Sequence, residues 1–182
     1  MKNKNPFPTT FYPGPELFCD RKPETESLVS NIQNDHSTTI IAVRRMGKTG
    51  LIRHVFEMLK EETIRVYLDI LPTFNQKDFI NTLSSAIVNA VPERSGAGKK
   101  IMNFIKTLRP VMSFDPLTGN PQLTIAGSEN KMEKDIESLL RFLNDLPEKV
   151  VIAIDEFQQI AKYPVQIDGW LRSVIQTLPN IS

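Results

Sequence analysis

A chain of 182 residues with 22 Lys+Arg and 21 Asp+Glu has a formal net charge of +1, and it is 40% hydrophobic and 24% charged. That balance excludes a chain disordered throughout or a fibrous one, and gives no whole-domain attraction to nucleic acid or anionic membrane. One cysteine and two histidines exclude a disulfide framework, a Cys-rich zinc site and a His-based metal site without carboxylate help.

The positive Met1–Pro6 segment is followed by no apolar core, so it is not a secretory signal. No apolar run approaches the roughly 18–20 residues that span a bilayer, and the expected compartment is the cytosol. Residues 1–22 read as an arm: Pro6, Pro8, Pro13 and Pro15 disfavour helix, and Phe7, Phe11, Tyr12 and Phe18 suggest packing against the domain. A helix is expected from Pro23 to about His36, with Leu28, Val29 and Ile32 on one face and Asp20 upstream as a cap. Thr38–Val43 reads as a buried strand and Gly50–Lys60 as a helix, with Leu51, Ile52, Val55, Phe56 and Leu59 inward. Ile64–Ile70 is a second strand. Lys77–Val91 is a third helix, capped by Asn75 and stopped by Pro92.

Glu93–Gly98 reads as a polar loop, and Ile101–Leu108 as a short helix stopped by Pro110. A hairpin is expected from Val111–Phe114 and Gln122–Ala126. Met132, Ile136, Leu139, Leu140 and Leu143 mark an amphipathic helix over Glu129–Leu146. Val150–Ile154 is the most apolar strand, as suits one covered on both faces. Helical stretches follow near Phe157–Lys162 and Ile167–Leu178. This alternation predicts an α/β fold, a parallel sheet sandwiched by helices. Residues 23–182 form its core, and residues 92–128 interrupt it as an insertion.

Two segments carry chemistry. Ala42-Val43-Arg44-Arg45-Met46-Gly47-Lys48-Thr49 satisfies seven of the eight positions of the G-x-x-x-x-G-K-[ST] phosphate loop, with Ala42 in place of the first glycine. In such a loop backbone N–H groups and the following helix N-terminus bind phosphate oxygens. Gly47 lets the backbone approach, Lys48 faces the β- and γ-phosphates, and Thr49 offers its hydroxyl to Mg²⁺. Arg44 and Arg45 can meet phosphate, bridge to a partner subunit or stay solvated. A chance Gly-Lys-Thr at a helix start is the plain alternative.

The second segment is the strand end at Asp155-Glu156. An aspartate there faces the ligand crevice of an open parallel sheet and can bind Mg²⁺, and Glu156 can polarise an attacking water. The alternative is a pair of ordinary acids at a helix start. Asp69, also near a strand end, is an acidic neighbour at most. His54 reads as a surface residue, and Trp170 with Leu171, Val174 and Ile175 as core.

These residues resemble the archaeal and bacterial AAA-like ATPases related to the STAND signalling ATPases. The similarity lies in the box Phe18-Cys19-Asp20-Arg21, the loop Arg44-Arg45-Met46-Gly47-Lys48-Thr49 and the strand end Asp155-Glu156-Phe157-Gln158, with Leu171-Arg172-Ser173 and Gln176 fitting the next helix. The resemblance implies a P-loop NTPase fold, binding of ATP and Mg²⁺, slow hydrolysis and a nucleotide-driven conformational switch. It implies nucleotide contacts from Arg45, Met46, Gly47, Lys48, Thr49 and Gly50, with Asp20 and Arg21 close to the base. It implies Thr49 and Asp155 as Mg²⁺ ligands, and Lys48 and Glu156 as the catalytic groups. It further implies a next strand with a polar sensor, then a lid, so that this chain is the N-terminal part of an ATP hydrolase with a protein partner or self-association. The competing expectations are a nucleotide-binding or interaction module without turnover, and the ATPase part of a nucleic-acid-acting protein.

Overall fold

Helix and strand alternate largely as the apolar periodicity predicts in the computed structural model, which describes residues 12, 14–18, 20–43, 46–91, 95–116 and 119–182. The helices are α1 (Lys22–Gln33), α2 (Lys48–Met58), α3 (Gln76–Ala90), α4 (Gly96–Thr107), α5 (Glu129–Asn144) and α6 (Asp168–Ile175). The strands are β1 (Ile64–Asp69), β2 (Val111–Phe114), β3 (Pro121–Thr124) and β4 (Val150–Asp155). Short 3-10 turns lie at Pro15–Leu17 and Phe157–Lys162. The fold is mixed α/β with a small parallel sheet. Contacts divide it into two compact units, residues 1–61 with residue 182, and residues 62–181.

In the first unit, Leu51, Val55 and Phe56 bury one face of α2, and Thr25 is the buried residue of α1. Of the arm's aromatics, Tyr12 and Phe18 pack on α2, and Phe7 and Phe11 lie outside the described residues. The Phe18 ring stacks on His54 with centroids 4.1 Å apart. The Tyr12 hydroxyl lies 3.0 Å from His54 Nδ1 and donates to Glu57 Oε2 at 3.3 Å. His54 is therefore half-covered by the arm, a correction to its reading as a surface residue. The expected buried strand over residues 38–43 is also corrected. These residues join no ladder among the described residues, and Ile41 and Val43 are 92% and 77% exposed. β-branched side chains favour the extended backbone, but a strand is stabilised only by the partner that takes its N–H and C=O groups. Asp20 does not cap α1. The N-cap position falls on Arg21, without a side-chain capping bond, and Asp20 is exposed with φ 64°.

In the second unit β1 and β4 pair in parallel, from Ile64 opposite Val150 to Asp69 opposite Asp155. On the other edge of β4 a single parallel bridge joins Val150 to Ile181, where Val150 N–H donates to the Asn180 carbonyl at 3.2 Å. Helix α3 packs on β1, β3 and α5. Its start is fixed by Asn75, whose side chain accepts from Asp78 N–H at 2.9 Å. The α5 face is buried as its spacing predicts: Met132, Ile136, Leu139, Leu140 and Leu143 are each at most 3% exposed. Each such side chain contributes about 1.5–3 kcal/mol of burial.

The segment over residues 92–128 is built into this core. Ile101 and Ile105 of α4 and Leu123 and Ile125 at β3 belong to the same buried cluster as Phe79 and Ile136. Helix α4 begins at Gly96, inside the stretch expected to be loop, because Ser95 caps it by accepting from Gly98 N–H at 2.9 Å. The cap and the buried Ala97–Ile101–Ile105 face outweigh about 1 kcal/mol per helical glycine. β2 and β3 form the expected antiparallel hairpin. α3 side chains take the place of a further strand: Ser85 and Asn81 accept from the N–H groups of Leu123 and Ile125 at 2.8 and 2.9 Å.

Candidate functional site

In the first unit a turn at Met46 and Gly47 leads into α2. Met46 N–H donates to the Val43 carbonyl at 3.3 Å, and Gly47 then adopts φ 73° in the left-handed region. An L side chain is disfavoured there, which is why this step needs glycine. Gly47 is the N-cap of α2, its carbonyl accepting from Leu51 N–H at 3.0 Å. The first N–H groups of any helix lack intrahelical partners and carry its positive partial charge. Lys48, the first helical residue, folds its ammonium back to donate to the Ala42 carbonyl at 3.1 Å. Thr49 is half-buried and Gly50 is buried. Met46 is 53% exposed. Arg44 and Arg45 lie outside the described residues.

Arg21 reaches this turn. Its Nη2 donates to the Met46 carbonyl. Its own carbonyl accepts from both Thr25 N–H at 2.9 Å and Thr25 Oγ1 at 2.7 Å. The structure thus brings Arg21, Met46, Gly47 and Lys48 into one locality. Asp20, with its exposed left-handed backbone, takes no hydrogen bond to that loop among those of the described residues.

In the second unit Asp155 ends β4 and is 8% exposed. Its carboxylate is oriented from two sides: Tyr67 OH donates to Oδ2 and Glu156 N–H to Oδ1, each at 2.9 Å. Tyr67 stands on β1, directly opposite Ala153. Its spacing within β1 carries no sign of this partner, which only the strand pairing discloses. Glu156 has φ 57°, a left-handed position uncommon for a residue of its type. Such strain of about 1–3 kcal/mol persists where surrounding contacts hold it, often at functional sites. Gln158 Nε2 donates to Glu156 Oε2 at 2.5 Å.

A buried polar network holds the segment that follows. Thr73 Oγ1 bonds to the Tyr163 hydroxyl, and Gln159 Nε2 donates to the Thr73 carbonyl at 2.8 Å. Burial pushes the Tyr163 phenol up from its ordinary pKa, against the opposing Thr73 hydrogen bond. Asp69 lies level with Asp155 across the sheet, exposed, its Oδ1 accepting from Leu71 N–H at 2.9 Å.

No group of three or more His, Cys, Asp or Glu side chains capable of holding a metal exists among the described residues. Mg²⁺ does not require one, since it binds through one or two protein oxygens together with substrate phosphates and water. Among the described residues no helix is long and apolar enough to cross a membrane. No curated protein and no solved structure matches the chain. The family model described as an ATPase domain predominantly from Archaea matches residues 18–179, and the chain belongs to that family.

Proposed function

We propose that the chain is a P-loop nucleotide module that binds ATP with Mg²⁺ and, within an ATPase, hydrolyses it as a conformational switch. Membership of an ATPase-domain family supports nucleotide binding. The observation that carries the finer reading is the turn at Gly47, left-handed and opening directly onto α2 with Lys48 as the first helical residue. That geometry supports binding of an anion by backbone N–H groups.

In this reading residues 42–49 are the phosphate loop (Walker A) and the end of β4 is the acidic element (Walker B). Lys48 leaves the Ala42 carbonyl to meet the β- and γ-phosphates, while Arg45, Met46, Gly47 and Gly50 contribute along the loop. Asp20 and Arg21 belong to the nucleotide's surroundings. Thr49 and Asp155 would hold Mg²⁺, which supplies charge neutralisation on the phosphates. Glu156 accepts a proton from the attacking water as its oxygen bonds to the γ-phosphorus and the bond to the bridging oxygen breaks, giving ADP and phosphate. Tyr67 orients the Asp155 carboxylate. The arm over residues 1–22 is an accessory to the core, residues 23–182, and residues 92–128 are an insertion in its sequence. Kinship with the STAND ATPases and a protein partner or self-association belong to the same proposal.

The roles of the two acids separate experimentally, in a chain that turns over ATP. Glu156→Gln is expected to retain ATP affinity and lower turnover by about 10²-fold or more. Asp155→Asn is expected to blunt the Mg²⁺ dependence of binding. Turnover by Glu156→Gln at the parent rate would remove Glu156 from the chemistry and leave a nucleotide-binding module without a catalytic base, a reading that the substitution of Ala42 for glycine also favours.

A further inference from the structure

We infer that Arg21 is a positioning residue for the phosphate loop: its guanidinium holds the Met46–Gly47 peptide in the orientation that binds phosphate. The inference rests on the proposed reading of residues 42–49 as that loop, and it concerns the first unit alone.

The Met46–Gly47 peptide is bracketed by fixed neighbours. Met46 N–H is engaged by Val43 on one side, and the Gly47 carbonyl by Leu51 on the other. What remains free is rotation of the peptide plane between them. Glycine populates positive and negative φ with similar ease, so at Gly47 such a flip meets little steric resistance.

Arg21 supplies the missing restraint. Its Nη2 donates to the Met46 carbonyl, a charge-assisted bond stronger than a neutral one. A planar trans peptide holds its C=O and N–H antiparallel. With the carbonyl drawn to Arg21, the Gly47 N–H is turned to the opposite side, away from the cation. Phosphate loops bind through such N–H groups, so the bond selects which face of the loop carries the donor. Arg21 is itself anchored: its carbonyl takes two hydrogen bonds from Thr25, the buried residue of α1. These backbone bonds do not involve the guanidinium, so truncating the side chain leaves the start of α1 in place.

If the flipped loop cannot bind, apparent affinity falls by the fraction of loops still correctly set. Loss of a charge-assisted bond predicts a weakening of about 10- to 100-fold for Mg-ATP in Arg21→Ala. The test pairs calorimetry of Mg-ATP binding with hydrogen exchange of the nucleotide-free proteins. Arg21→Ala is expected to speed exchange across residues 46–51 while leaving α5 at the parent rate. Arg21→Gln, which keeps N–H donors without the charge, is expected to stay closer to the parent than Arg21→Ala in both readouts. Weakened Mg-ATP binding with unchanged exchange would mean that Arg21 acts on the nucleotide by charge, and would overturn the inference. So would unchanged values of both, or equal behaviour of the Gln and Ala variants. A parent protein that fails to bind Mg-ATP would overturn the phosphate-loop reading instead, and exchange in the nucleotide-free proteins still decides whether Arg21 holds the loop.

Discussion

Replacing Gly47 by alanine isolates the backbone requirement of the turn before α2. The residue has φ 73°, and an added Cβ would meet nothing within 4 Å. The cost is therefore conformational, with no clash to add to it. An L-residue in the left-handed region costs about 1–2 kcal/mol. Alanine also restricts the unfolded chain, which offsets about 0.4–1 kcal/mol. The expected net destabilisation of Gly47→Ala is about 1 kcal/mol. Asparagine tolerates the left-handed region better than alanine, so Gly47→Asn is expected to lose less. Gly169 provides the control. It lies in the first turn of α6, without a positive φ and with open space at its Cβ, so Gly169→Ala is expected to stabilise by about 0.5–1 kcal/mol. Urea unfolding of the parent and the three variants reads these signs directly. A Gly47→Ala protein as stable as the parent, or a Gly47→Asn protein less stable than Gly47→Ala, would mean that the turn makes no left-handed demand at residue 47.

Two further outcomes follow from particular contacts. Asn75→Ala removes the acceptor for Asp78 N–H at the start of α3 and is expected to cost about 1 kcal/mol by urea denaturation; an unchanged midpoint would contradict the cap. The Tyr12 phenol is raised from 10.0 to about 12, first by burial and then by the charge and hydrogen bond of Glu57. Because the folded value lies above the unfolded one, its contribution is intact below pH 10 and is lost as pH rises towards 12. Tyrosinate absorbance of the parent minus that of Tyr12→Phe should show one late-ionising phenol, and an ordinary ionisation near pH 10 would refute the docked arm.

Periodicity discloses what depends on one segment alone. The Met132–Leu143 face of α5 and the cap at Asn75 are both legible because each is written in residues a few positions apart, whatever distant residues then cover the face. The turn residue Gly47 was legible for the same reason, since its chemistry sits in one short motif. Residues 38–43 were misread because β propensity describes a side chain and says nothing of whether a ladder partner exists. Ile41 and Val43 have the composition of a buried strand and are exposed. The α4 start was misread because glycine content outweighed the Ser95 cap in the sequence, whereas the buried Ile101 and Ile105 face decides it in the fold. Tyr67 on Asp155, Phe18 on His54 and Arg21 on Met46 join distant parts of the chain, and no local pattern encodes them.

In the proposed reading residues 42–49 bind the phosphates of ATP, with Lys48 as their cation. Calorimetric titration of ATP with Mg²⁺ into the parent and Lys48→Ala proteins tests it most directly. The parent is expected to bind, and removal of an ammonium that faces two phosphates is expected to weaken binding by about 2–4 kcal/mol. Among the described residues the ammonium donates to the Ala42 carbonyl, a neutral acceptor, and exchanging that bond for phosphate does not cancel the loss. Equal affinity of the two proteins would mean that Lys48 does not face the phosphates.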